Sequence, residues 1–132
     1  MQALDTLGID TFDLMSTSVA SATALALARE ARDRVRAVVL EAPAPIEPGA
    51  AAALADLATP TLIALGTADT VVAPETGRAF TDALPNAHLV FVYAAGHAIA
   101  DDRPEAFADV VADFLERHEA FVISRATTVI HP

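Results

Sequence analysis

The chain contains no cysteine, and no lysine either: all 8 basic residues are arginine. The first absence removes disulfide frameworks, thiolate nucleophiles and zinc-thiolate sites. The second removes Schiff-base chemistry, an anchor for pyridoxal phosphate and the ammonium of a phosphate-binding loop. Ser, Thr, Asp, Glu, His and Tyr are left to carry any chemistry. Positive charge is scarce as well, with 8 basic against 18 acidic side chains and a net charge of −10. That balance repels phosphate backbones and anionic lipid, so neither nucleic acid nor a membrane surface is an expected partner. No apolar run approaches the roughly 18 residues of a membrane span. The start, Met1-Gln2-Ala3-Leu4-Asp5, has neither the basic nor the apolar region of a secretory leader. The expected compartment is the cytoplasm.

What is present is a core-forming composition: 132 residues, 54% hydrophobic, enough for one domain spanning 1–132 and too apolar for a disordered chain. Four short runs rich in β-branched residues recur, at Thr11 to Ser16, Val35 to Glu41, Thr61 to Gly66 and His88 to Tyr93. Their near-continuous apolar character suits strands buried on both faces, hence a parallel sheet. Ala-rich segments of helical length alternate with them, at Val19 to Arg32, Gly49 to Ala58, Glu75 to Leu84 and Pro104 to His118. A short helix over Gln2 to Leu7 precedes the first strand. This β-α alternation predicts an α/β fold, a parallel sheet of about four strands with helices on both faces. The tail over 120–132, with Val122, Ile123, Thr127, Thr128, Val129 and Ile130, reads as an added strand or a dimer arm.

Ser16-Thr17-Ser18-Val19-Ala20 falls where the first strand ends and the long Ala-rich helix begins. A nucleophile elbow sits at such a strand-turn-helix junction, with small residues two before and two after the nucleophile, since strand and helix nearly touch there. Ser18 would then expose its hydroxyl at the sheet's carboxyl edge, and the Val19 amide would face a developing oxyanion. Taken alone, the five residues also fit an ordinary serine N-cap. Two further turns give them weight: Gly66-Thr67-Ala68-Asp69 comes after the third strand and Ala94-Ala95-Gly96-His97 after the fourth. Ser, Asp and His thus occur in that order, and all lie just past the carboxyl ends of parallel strands, where open α/β sheets place their sites. A serine hydroxyl needs a base, and the imidazole needs a carboxylate to fix its tautomer. His97 and Asp69 would fill those roles.

At these residues the chain resembles the carboxyl-terminal half of an α/β-hydrolase, over roughly residues 1 to 120. The likeness is carried by Leu7 to Met15 before the elbow, Val35 to Pro45, Pro60 to Pro74 around the acid, Ala95-Gly96-His97-Ala98-Ile99 and Arg103-Pro104-Glu105-Ala106-Phe107. Ser16 and Ala20 stand where the family usually has Gly, and Thr17 where it usually has His or a similar residue. The resemblance implies a truncated α/β-hydrolase fold without the lid. It also implies a serine hydrolase that cleaves small-molecule carboxylic esters or lactones through an acyl-enzyme. The strand and loop that give the family its second oxyanion amide have no counterpart here. Their absence implies an open edge at the first strand and a large exposed apolar area. A homodimer, or a complementing amino-terminal half, is the expected partner. A second reading is a non-catalytic half-domain that pairs in this way.

Glu41, at the end of the second strand, is the reserve acid for His97. Asp101 and Asp102 read as favourable charges at the start of the last helix. His88, His118 and His131 lack acidic companions at metal-ligand spacing, and Arg29 to Arg36 reads as a solvated face with Glu30 and Asp33. No metal or cofactor is implied.

Overall fold

A computed structural model describes residues 1–121. The four apolar runs form β1 (Phe12–Thr17), β2 (Val35–Glu41), β3 (Thr61–Gly66) and β4 (Ala87–Val92). They lie side by side in chain order, and every pairing is parallel. Between and around them run α1 (Gln2–Thr6), α2 (Ser21–Glu30), α3 (Ala51–Leu54), α4 (Pro74–Ala83), α5 (Ile99–Asp102) and α6 (Pro104–Arg117).

Strand side chains alternate between the two faces of the sheet. Val38 and Leu40 of β2 and Ile63 and Leu65 of β3 pack with Ala24, Leu25 and Ala28 of α2, Leu54 of α3 and Phe80 of α4. The alternate positions Ala37, Val39, Leu62 and Ala64 pack with Ile99 of α5, Phe107 and Phe114 of α6, and Phe121. The inner strands are buried on both faces, which explains why they read as continuous apolar runs. Complete burial of an aromatic such as Phe114, 0% exposed, is worth about 1.5–3 kcal/mol, so α6 is held mainly by its two phenylalanines.

The helices depart from the expected bounds for local reasons. The segment after β1 opens with a 3-10 turn, Ser18–Ala20, before α2 begins. The helix expected over Gly49 to Ala58 contracts to α3, whose one buried residue is Leu54; its alanines bury too little surface to extend it. Asp101 and Asp102 belong to α5, a separate short helix, and not to the start of the last helix as expected. Arg103 precedes Pro104 and lies outside the helical region at φ −139°, ψ 62°, as a residue before proline is pushed to do.

β1 is an edge strand, bonded on one side to β2. On it Met15 is 52% exposed, and Asp13 is paired with Arg36 at 2.6 Å. Ala37 and Val39 already lie in the cluster under α5 and α6. The described chain closes with a 3-10 turn, His118–Ala120, and a buried Phe121. The expected strand or dimer arm lies, beyond Phe121, outside the described residues. No helix among the described residues is long and apolar enough to cross a membrane.

Candidate active site

Ser18 has φ +51°, a left-handed conformation that costs a non-glycine residue on the order of 1–3 kcal/mol and persists only when its surroundings impose it. Donors from two elements converge on its carbonyl oxygen: the Ser21 hydroxyl at 2.8 Å, together with the Ser21 amide, and the Ala44 amide at 3.1 Å. The Ser21 donors come from the first turn of α2 and the Ala44 amide from the link after β2, so the elbow is fixed from both sides. Val19 follows at the start of the 3-10 turn, its side chain 80% exposed.

The acid is held by its own turn. Asp69 Oδ1 accepts the amides of Val71 at 2.7 Å and Val72 at 2.9 Å, and Oδ2 lies 3.1 Å from His97 Nδ1. Its side chain is 1% exposed. Burial alone would raise its pKa, but the Val72 and Val71 amides and the His97 ring outweigh that penalty and hold the carboxyl below its ordinary value. An ionised carboxylate only accepts, so His97 Nδ1 is the donor. Nε2 is left to accept from Ser18 Oγ, 3.1 Å away. The three side chains form one hydrogen-bonded line, Ser18 to His97 to Asp69, drawn from the ends of β1, β4 and β3.

The acid and histidine turns are also bound to each other. Thr67 Oγ1 accepts the Ala94 amide at 2.8 Å, and the Ala68 amide donates to the Ala95 carbonyl at 2.8 Å. A Cβ at Gly66 would overlap the carbonyl oxygens of Ala95 and Gly96, so glycine there is what lets the two turns approach.

Glu41 is not a partner of His97, contrary to its expected place as reserve acid. It is 5% exposed, and its Oε1 accepts the Ala100 amide at 2.8 Å. Asp102, though exposed, also binds this segment, its Oδ2 accepting the Gly96 amide at 2.7 Å. Sequence reasoning missed both contacts, as well as the Ser21 hydroxyl on the elbow carbonyl. Ser21, three residues after Ser18, carried a local signal; Glu41 carried none, since its partner is 59 residues away. Among the described residues, no three of His, Cys, Asp and Glu gather as a metal site.

The family model for TAP-like proteins, a branch of the α/β-hydrolases, matches residues 41–120, which include Glu41, Asp69 and His97. The chain belongs to this family. Among curated proteins, no match to the TAP-like chain was found. Its fold is that of several solved α/β-hydrolase structures. A predicted CIB-like hydrolase from Thermoplasma acidophilum aligns at TM-score 0.78 and 23% identity, over 86% of this chain and 54% of that one. An α/β-hydrolase enzyme from the metagenome of lagoon sediments at Mar Chica, Morocco, aligns at 0.79 and 23%, over 88% and 66%. A thermophilic esterase from Thermogutta terrifontis aligns at 0.77 and 18%, over 89% and 69%. The TAP-like chain thus spans 54% and 66% of the length of the first two structures.

Proposed function

We propose that this TAP-like chain is a serine hydrolase that cleaves carboxylic esters, lactones included, through an acyl-enzyme. The observation that carries the reading is the line Ser18 Oγ, His97 Nε2, His97 Nδ1, Asp69 Oδ2, with both gaps at 3.1 Å and the serine in a left-handed turn at φ +51°. Nucleophile, base and orienting acid are within the hydrogen-bond reach that such chemistry requires.

Ser18 Oγ attacks the ester carbonyl carbon while His97 Nε2 takes the hydroxyl proton, and Asp69 stabilises the imidazolium that results. The negative charge on the carbonyl oxygen is met by the Val19 amide. Collapse of the tetrahedral intermediate expels the alcohol, which leaves with the proton held by His97. Water, deprotonated by the same nitrogen, then attacks the acyl carbon and releases the acid and Ser18. A single oxyanion donor is worth roughly 10²–10³ in rate, which is the contribution assigned to the Val19 amide. Hydrolysis of p-nitrophenyl esters by the wild-type chain, lost in a folded Ser18→Ala variant, supports the reading; equal rates in both sink it.

β1 at the sheet edge favours a second reading, a partner-dependent form. A second copy, or a separate polypeptide, would pair along β1 and contribute the other oxyanion amide. Turnover that rises with protein concentration alongside sedimentation as a dimer, or that arises only on mixing with such a polypeptide, distinguishes it from an active monomer.

A further inference from the structure

His97 lies on a short stretch of backbone tied down at two points. On one side Asp102 accepts the Gly96 amide at 2.7 Å, a contact within six residues. On the other, Glu41 accepts the Ala100 amide at 2.8 Å. The second tie comes from another strand. Glu41 is the last residue of β2, and in the β1–β2 register its partner is Thr17, the residue immediately before Ser18. One buried side chain therefore stands beside the nucleophile's strand and holds the backbone three residues past the base. A buried carboxyl group is costly unless its oxygens are bonded. This one is nevertheless placed at 5% exposure, in a strand whose inward positions are otherwise apolar.

We infer that Glu41 is a positioning residue: bonded to the Ala100 amide and in register with Thr17, it sets the distance between His97 Nε2 and Ser18 Oγ. The inference rests on the reading of Ser18 as nucleophile and His97 as base. What the role needs is an acceptor oxygen at the reach of a glutamate side chain, not a negative charge. Glutamine supplies that oxygen at the same length. Aspartate keeps the charge but withdraws the oxygen by about one methylene, and a displacement near 1 Å at a reacting pair costs on the order of 10²-fold.

The test compares Glu41→Gln, Glu41→Asp and Glu41→Ala in the full chain. It follows the rate of Ser18 labelling by a fluorophosphonate, kcat and KM on a p-nitrophenyl ester, and amide hydrogen exchange at Gly96, Ala100 and Ile63. The expected result is that Gln stays within about threefold of wild type, while Asp and Ala lose roughly 10²-fold in labelling and kcat with KM little changed. Exchange at Ala100 quickens in those two, while exchange at Ile63 in β3 does not. Should Ala not fold, the Gln and Asp pair still decides. Asp at the wild-type rate, or Gln as impaired as Asp, overturns the inference. Absence of labelling in wild type overturns the reading of Ser18 instead, and Ala100 exchange in the Gln and Asp variants then decides whether Glu41 holds the His97 segment.

Discussion

The α-carbon of Gly66 lies so close to the Ala95 carbonyl that no β-carbon fits between them. That contact joins the end of β3, which leads to Asp69, with the turn that carries His97. The obstruction is backbone, which cannot swing aside as a flexible side chain can. Gly66→Ala should therefore destabilise the fold by about 1–3 kcal/mol and slow any Ser18 chemistry beyond what the lost stability explains. Gly77 in α4 is the control: a Cβ there meets the ends of the Leu89 and Leu65 side chains, and alanine favours a helix over glycine by roughly 0.5–1 kcal/mol. Gly77→Ala should be far milder than Gly66→Ala in urea unfolding. Equal losses would show that the Gly66 approach is not a constraint.

Asp69→Asn keeps the size of the side chain but lets the residue donate to Nδ1, which favours the tautomer with its proton on Nε2. A folded variant should lose roughly 10³–10⁴ in turnover. The same carboxyl leaves a mark on stability. Its folded pKa is lowered, so at acid pH the unfolded chain binds the proton first. The contribution is fully present above the ordinary aspartate range and is lost as pH falls through the lower, folded value. Asn should flatten that part of the stability curve, as measured by urea midpoints between pH 2 and pH 6; an unchanged slope contradicts the assignment.

His88 gives a second pH signature. Its ring packs edge-on against Phe114 and Phe121, with centroids 6.1 and 5.3 Å away. Nε2 is buried without a hydrogen-bond partner, and burial lowers the pKa. Protonation therefore favours the unfolded chain. Stability is fully present above the ordinary histidine range and declines as pH falls toward the lowered value. His88→Leu should lose less stability than wild type between pH 7.5 and pH 5; equal losses would place the effect elsewhere.

The strands were legible because β2 and β3 are buried on both faces along most of their length, and nothing else makes Ala37 to Leu40 or Leu62 to Leu65 so continuously apolar. Ser18, Asp69 and His97 were legible as positions because each follows a strand, and the parallel sheet gathers strand ends at one edge. What pattern could not supply was what a side chain does once there. Glu41 and Asp69 both end or follow a strand, and only the three-dimensional fold brings one to Ala100 and the other to His97. The break between α5 and α6 was hidden because Asp101 and Asp102 look like first-turn charges. The clue was Pro104, acting on the residue before it.

Covalent modification tests the central claim most directly, because a fluorophosphonate reacts with an activated serine and not with a mere hydroxyl. The intact mass of the wild-type chain after exposure should rise by one phosphonyl adduct per chain, and Ser18→Ala and His97→Ala should remain unmodified while folded. A folded wild-type chain that takes up no adduct, or an adduct that survives Ser18→Ala, would contradict the account.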